Sequence, residues 1–128
     1  MAEANGRAQD GTAGIREEPV AEIVRSDGSI VVSLAGELDL YNAQTVREAL
    51  LACCAESPER LIVDLSNVKF IDSTALGVLI EARTRMQNRR GFLLAAPALE
   101  TRRALEISGL DRHFNVHDSL DGARTASI

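Results

Sequence analysis

Two adjacent hydroxyl residues, Ser73 and Thr74, are the side chains in this sequence best placed to do chemistry. They follow Asp72, which we expect to cap the start of a helix, because an aspartate carboxylate there accepts hydrogen bonds from first-turn amides. Ser73 could act as a helix-start residue, a catalytic nucleophile or a phosphate acceptor. A phosphate would add about −1.5 to −2 charges at a helix end whose free N–H groups and dipole tolerate an anion.

A catalytic role for Ser73 lacks the supporting residues. A nucleophilic serine needs a general base and a group that orients it, yet the two histidines, His113 and His117, lie near the last predicted strand. No Gly-x-Ser-x-Gly motif surrounds Ser73, and the sequence has no Walker-type phosphate loop and no His/Cys metal cluster. We therefore expect no catalytic residues, no metal and no cofactor, and a protein that is not an enzyme.

The helix after Asp72 has two contrasting faces. At about 100° per residue, an apolar stripe should face a sheet, and it comprises Ala75, Leu79, Ala82 and Met86, with Leu76 at its edge. Where a solvent face normally carries charged residues, the opposite side carries Ser73, Gly77, Ile80 and Thr84. This composition is typical of a contact surface. The alternative is that a neighbouring helix covers Ile80 or that Ile80 is exposed by chance.

Composition and charge restrict the function further. The chain has 128 residues, of which 45% are hydrophobic and 26% charged, as expected for one globular domain. A net charge of −5 argues against nucleic-acid binding, which requires a concentrated basic surface. The nearest basic cluster falls at the end of a predicted helix, where cations complement the helix dipole, and it comprises Arg83, Arg85, Arg89 and Arg90.

The sequence has neither an apolar run long enough to span a membrane nor the apolar core of a signal peptide. We therefore expect a cytoplasmic protein without membrane contact. In that reducing compartment Cys53 and Cys54 should both remain thiols, because a disulfide between adjacent residues is strained.

The elements that position Ser73 can be read from the spacing of apolar residues. Residues 1–18 predict a flexible tail, and residues 19–128 predict the domain. The domain opens with strands over 20–24 and 30–35, joined at the turn signal Asp27-Gly28. A helix then begins near Asn42 and stops at Pro58, and its inner face carries Ala43, Val46, Leu50 and Cys53 or Cys54.

The remaining elements alternate between strand and helix. The apolar run 61–65 predicts a central strand, which a loop connects to the helix that follows Asp72 and ends before Gly91. Residues 92–96 predict another buried strand. Residues 98–108 predict a helix with Leu99 and Leu105 inward and Gly109 as its cap. A strand over 113–116 and a helix from Asp118 or Ser119 complete the chain.

This order, β-β-α-β-α-β-α-β-α, predicts an α/β fold with a mixed, mostly parallel β-sheet and about four helices packed on it. Aromatic residues make up only 3% of the chain. We therefore expect a core of Leu, Ile, Val and Ala, in which Phe70, Phe92 and Phe114 are the large rings.

Three motifs, within residues 20–123, together resemble the STAS-domain family of anti-sigma-factor antagonists. Gly36-Glu37-Leu38-Asp39 resembles the family's GELD motif, and Ile107-Ser108-Gly109-Leu110 resembles the run before its last strand. The segment from Asp64-Leu65-Ser66 to Ile71-Asp72-Ser73-Thr74 resembles its phosphorylation site. The resemblance implies a STAS-like fold. It also implies that the unphosphorylated protein binds an anti-sigma factor of the serine-kinase type and thereby releases a sigma factor.

The resemblance also assigns roles by position. Ser73 matches the phosphate acceptor, with Thr74 as second choice, while Asp72 matches the preceding acid and Asp39 the acidic loop beside it. The implied partners are the kinase, which uses ATP, and a phosphatase that acts on phosphorylated Ser73. We expect a monomer or weak dimer. The expected partner-binding surface comprises Asp39, Asp72, Ser73, Thr74, Gly77 and Ile80.

Two alternatives remain open. A STAS subunit of a stressosome-like scaffold or lipid-transport complex would keep the fold without phosphorylation. An enzyme would use Asp72 and Ser73 in a hydrolase or nucleotide-processing site, and turnover abolished by Ser73→Ala would indicate it.

Ala75 departs from the family pattern, in which many members carry Gly at this position. Its methyl group could tighten the helix start or alter the fit of a partner.

Overall fold

A five-stranded sheet organises the chain in a computed structural model that describes residues 17–128. The strands lie side by side in chain order: β1 (Val20–Ser26), β2 (Ser29–Leu38), β3 (Arg60–Ile71), β4 (Phe92–Ala95) and β5 (Asn115–His117). β1 and β2 pair antiparallel, and the later neighbours pair parallel. The predicted mixed, mostly parallel sheet with a central third strand is confirmed. The predicted tail lies almost wholly outside the described residues.

Within this part of the chain, four α-helices connect and cover the strands: α1 (Ala43–Ala55), α2 (Ser73–Arg85), α3 (Leu99–Ser108) and α4 (Leu120–Thr125). The predicted order of elements is confirmed. Asp27 and Gly28 both have positive φ angles, 52° and 81°, as a two-residue type I′ hairpin turn requires. Gly109, with φ 79°, caps α3 as predicted.

The main core lies on the face of the sheet that carries α1 and α2. The inner face of α1 buries the predicted residues, Ala43, Val46, Leu50, Cys53 and Cys54. The predicted apolar stripe of α2 is also buried: Ala75, Leu76, Leu79, Ala82 and Met86. On the opposite face of the sheet, α4 contributes Ala123 to a smaller cluster with Val31, Ile62, Leu93 and Ala95. Helices on both faces explain the continuous apolar run at the start of β3.

The prediction of a loop after Leu65 is wrong, because β3 continues as a strand to Ile71. β4 pairs with residues 61–64 of β3, and beyond them β3 bonds to β2. This half of the strand has exposed polar residues, among them Ser66, Asn67 and Lys69. Two register shifts in the β2–β3 pairing also interrupt the alternation of side chains. The polar residues and the interrupted alternation of buried and exposed side chains make this half of the strand look like a loop in the sequence.

Phe70 and Leu99 are not core residues, contrary to the prediction. Phe70 is 51% exposed because the second register shift inserts Lys69 and turns the following ring outward. Leu99 is 62% exposed. It lies six residues, or about 120° around the helix, from the buried Leu105, and α3 instead buries Thr101.

Several boundaries also differ from the prediction. β2 extends to Leu38, three residues beyond its predicted end, because it pairs with the second half of β3. β5 starts at Asn115, two residues later than expected, because a 3₁₀ turn over Leu110–Arg112 precedes it. α2 ends at Arg85, so Arg89 and Arg90 lie beyond the helix in a 3₁₀ turn over Arg89–Gly91. The helix dipole therefore explains the position of Arg83 and Arg85 but not that of the two later arginines.

Cys53 and Cys54 are buried free thiols, as predicted. Burial raises the pKa of both, and that of Cys54 to about 11. Because the thiolate is the reactive form, neither is an activated nucleophile at neutral pH.

The helices of the described residues are too short or too polar to cross a membrane. In the same part of the chain, no three His, Cys, Asp or Glu residues are grouped to hold a metal ion.

Candidate functional site

Asp72 joins the start of α2 to the loop that follows β2. Its Oδ1 accepts a hydrogen bond of 3.0 Å from the amide of Ala75, which confirms the predicted N-cap. Its Oδ2 accepts a bond of 3.2 Å from the amide of Leu40. The Asp72 amide in turn donates to the carbonyl of Leu38 at 3.0 Å. Asp72 therefore holds the loop after β2 and the start of α2 in a fixed relative position.

The loop between β2 and α1 is held by its own polar residues. Asp39 Oδ1 accepts a 3.0 Å bond from the Tyr41 amide, and the Asp39 amide donates to Asn42 Oδ1 at 3.0 Å. The side-chain amide of Asn42 donates to the carbonyl of Glu37 at 2.8 Å. The acidic loop is therefore a folded turn, and the structure brings Asp39 and Asp72 to the same end of the sheet, as expected.

Ser73 and Thr74 are both exposed and form the first two residues of α2. Within residues 17–128, neither hydroxyl makes a hydrogen bond. The first-turn amide of Thr74 also has no acceptor in this part of the chain. The Ser73 hydroxyl can therefore be reached from solvent, and a phosphate on it would find free N–H groups at the helix start.

The outward face of α2 contains a glycine that the fold does not require. Gly77 is exposed, and a Cβ added there would meet no atom of residues 17–128 within 4 Å. Glycine inside a helix costs about 1 kcal/mol relative to alanine, so packing among the described residues does not explain its presence. Ile80 is half-buried and packs against the main core. The neighbouring structure therefore covers Ile80 in part, and Gly77 is the more open of the two positions.

Three exposed apolar residues lie near this helix start, and the sequence pattern did not predict them as surface residues. Leu40 is 66% exposed, Tyr41 85% and Phe70 51%. Leu40 and Tyr41 belong to the loop held by Asp72, and Phe70 lies two residues before Asp72. The signal in the sequence was the pair Leu40-Tyr41 between the polar residues Asp39 and Asn42, because such a turn has little room to bury large side chains. We call the patch of Leu40, Tyr41, Phe70, Ser73, Thr74 and Gly77 the Ser73 surface.

An ion pair fixes α2 against α1. Arg47 bonds to Glu81 through two parallel contacts, Nε to Oε1 at 2.7 Å and Nη2 to Oε2 at 2.8 Å. The hydrogen bond from Arg47 lowers the pKa of the Glu81 carboxyl. Glu81 therefore stays ionised into mildly acidic solution, and the two helices keep their relative position there.

Known proteins share this architecture and sequence. The sequence profile of the STAS domain matches residues 20–123. The anti-sigma-F factor antagonist RsfB of Mycobacterium tuberculosis is 34% identical over 106 residues, which cover 80% of this chain and 87% of RsfB. The anti-sigma-B factor antagonist of Bacillus subtilis is 31% identical over 103 residues, covering 79% and 93%.

A solved structure is also similar to this chain in fold and sequence. The crystal structure of an anti-sigma factor antagonist from Mycobacterium paratuberculosis is similar with a TM-score of 0.76 at 36% identity, over 81% of this chain and 89% of that chain. The resemblance expected from the three sequence motifs is confirmed, and the chain belongs to the STAS domain family.

Proposed function

We propose that this chain is an anti-sigma factor antagonist that binds a serine-kinase anti-sigma factor through the Ser73 surface and loses this partner when Ser73 is phosphorylated. Relatives 34% and 31% identical to the chain are an anti-sigma-F factor antagonist and an anti-sigma-B factor antagonist, which supports the general role. The observation that carries the proposal is the position of Ser73. Its hydroxyl is exposed, has no hydrogen bond within the described residues, and lies at a helix start among exposed apolar side chains.

The Ser73 surface has the composition of a protein-binding patch. Large apolar side chains that cluster on a surface favour association, because docking removes them from water. Tyrosine is also enriched among the residues that contribute most to interface energy. Gly77 leaves a flat stretch of helix backbone beside them, which a partner can approach closely. Loop and helix are held together by Asp72, so little conformational freedom is lost on binding.

Phosphorylation would change the charge of this patch without disrupting the helix. A phosphate on Ser73 can accept hydrogen bonds from the free first-turn amides, so α2 tolerates it. Asp72 and the acidic loop already make the surroundings negative. A docked partner would have to desolvate a group carrying about −1.5 to −2 charges beside these carboxylates. The bound state therefore loses stability while the free domain keeps its fold.

The proposal includes the cycle around this binding event. The unphosphorylated chain binds the anti-sigma factor, and a sigma factor is thereby released. The anti-sigma factor, acting as a kinase, then transfers a phosphate from ATP to Ser73. A phosphatase removes this phosphate and restores the form that binds. Because sigma factors act on RNA polymerase, we place this cycle in the cytoplasm, with the chain a monomer or weak dimer and without nucleic acid or membrane contact.

The phosphorylation step can be tested by intact-mass measurement. The chain is incubated with ATP and the serine-kinase anti-sigma factor recovered with it from native cells. We expect one added phosphate on wild type and on Thr74→Val, and none on Ser73→Ala, because Ser73 is the proposed acceptor. Phosphate on Ser73→Ala but not on Thr74→Val would move the acceptor to Thr74. No added phosphate on wild type would contradict the switch and favour a scaffold role without phosphorylation.

Tyr41 should contribute to partner affinity and little to folding. Its side chain is 85% exposed, and its backbone amide makes the bond to Asp39, so Tyr41→Ala keeps the turn. We expect about a tenfold weaker affinity for the anti-sigma factor by calorimetry, since aromatic interface residues often contribute more than 1 kcal/mol. The midpoint of urea unfolding should stay near that of wild type. Unchanged affinity would exclude Tyr41 from the interface.

A further inference from the structure

A cluster of arginines surrounds a concave site at the end of α2 opposite Ser73. The cavity has a volume of about 260 Å³, and its lining includes Arg83, Arg89, Arg90, Arg112, His113 and Asn115. Arg83, which lines the cavity, follows Ser73 by ten residues and Gly77 by six in α2, or about 15 Å and about 9 Å along the helix axis at about 1.5 Å per residue. None of the residues of the Ser73 surface lines the cavity. It is therefore separate from the proposed partner-binding patch.

The four arginines come from separate parts of the chain. Arg83 belongs to the last turn of α2, Arg89 and Arg90 to the 3₁₀ turn before β4, and Arg112 to the 3₁₀ turn before β5. From the sequence, Arg83, Arg85, Arg89 and Arg90 were expected at a solvated helix end; of these, Arg83, Arg89 and Arg90 line the cavity and Arg85 does not. The structure adds Arg112 and turns the group into the wall of a cavity.

These four guanidinium groups have no carboxylate partner in the described part of the chain. Elsewhere the arginines are mostly neutralised: Arg25, Arg47, Arg85, Arg102 and Arg103 each contact a glutamate or aspartate within 3.4 Å. Among the described residues, no Asp or Glu lines the cavity. A protein of net charge −5 thus concentrates uncompensated positive charge in one small concavity.

The backbone beneath the cluster is held in place. The Arg90 amide donates to Asn88 Oδ1 at 3.0 Å, and the Arg90 carbonyl accepts a bond of 3.4 Å from the side-chain amide of Asn115. A Cβ on Gly91 would collide with the carbonyl oxygen of Glu59, so the turn packs closely against the chain. The arginine side chains therefore extend from a fixed base, which lowers the entropy lost on binding.

We propose that this cavity binds a phosphate-rich anion, namely the phosphate chain of a nucleotide or free pyrophosphate. Guanidinium groups bind phosphate oxygens through paired hydrogen bonds, and several arginines that line one cavity match a ligand with several negative charges. The volume is smaller than the roughly 300–1,000 Å³ of pockets that enclose a drug-sized ligand. The cavity therefore suits the phosphate groups themselves, with any nucleoside outside it.

Calorimetric titration of the purified full chain with pyrophosphate, ATP and adenosine, at constant ionic strength, tests this site. We expect pyrophosphate and ATP to bind and adenosine not to bind. Arg89→Gln/Arg112→Gln should weaken anion binding at least about tenfold, because two charge-assisted contacts are lost. The matched control Lys69→Gln/Arg103→Gln removes the same charge at exposed positions elsewhere and should stay within about twofold of wild type.

The relative affinities identify the source of the phosphates. ATP bound more tightly than pyrophosphate would indicate a nucleotide, and the reverse would indicate free pyrophosphate; both results support the site. The proposal is overturned if neither anion binds wild type at millimolar concentration, or if adenosine binds as well as ATP. Equal losses in the two double variants would also overturn it, because they would show attraction to net charge alone.

Discussion

Ser73→Asp should weaken binding of the serine-kinase anti-sigma factor by about a hundredfold or more, which corresponds to about 2.7 kcal/mol. The new carboxylate would lie beside Asp72 on a surface that the partner covers. A charge buried there without a partner group costs a loss of this size. The helix start tolerates an acidic residue, so the variant should unfold at the same urea concentration as wild type. Calorimetric affinities and unfolding midpoints together measure both effects.

Two controls separate this effect from a general change of charge or of the hydroxyl. Gln87→Glu adds one negative charge at an exposed position beyond the far end of α2, and its affinity should stay close to that of wild type. Ser73→Ala removes the hydroxyl without adding charge and should still bind. If Ser73→Asp bound the kinase as tightly as wild type, phosphorylation of Ser73 could not act as the switch.

Gly77→Gln should change folding stability and partner affinity in opposite directions. The position is exposed, and in the part of the chain that the structure describes no atom lies within 4 Å of an added Cβ. Glutamine is a better helix former than glycine, so the domain should become about 0.5 kcal/mol more stable. A long side chain in the flat part of the Ser73 surface would hold the partner away. We expect about a thirtyfold loss of affinity, or about 2 kcal/mol, as for overpacking of a close contact.

The measurement pairs urea unfolding with calorimetric titration against the anti-sigma factor. Ala52→Gln serves as the control, since it places the same side chain at an exposed position on α1 and should leave the affinity unchanged. Gly77→Ala should give an intermediate loss. If Gly77→Gln bound as tightly as wild type, the partner would not approach this part of α2, and the glycine would need another explanation.

The parts of the fold that local signals determine could be predicted from the sequence. The apolar period of α2 and the capping carboxylate of Asp72 lie within a few residues of each other, and both appear as expected. The Asp27-Gly28 turn is also local, because both residues tolerate the positive φ angles that it requires. These local signals are sufficient to predict Ser73 at an exposed helix start.

The contacts that assemble the surface could not be predicted in this way. The bond between Asp72 and the Leu40 amide joins residues 32 positions apart in the chain, and no local pattern indicates it. The second half of β3 was missed because pairing with β2, rather than its own alternation, keeps it extended. Arg112 reaches the arginine cluster only because β4 and β5 are neighbours. Each of these features depends on tertiary contacts between distant residues, which local sequence patterns do not indicate.

The two hydrogen bonds to the Asp72 carboxylate have a consequence for how recognition can evolve. The loop tip is anchored through the backbone amide of Leu40, so the side chains of Leu40 and Tyr41 do not support the scaffold. Each can be exchanged for another type while the backbone beneath it keeps its shape. A duplicated copy of such a domain could acquire a different kinase by changing two solvent-facing side chains, and its control by serine phosphorylation would be inherited intact.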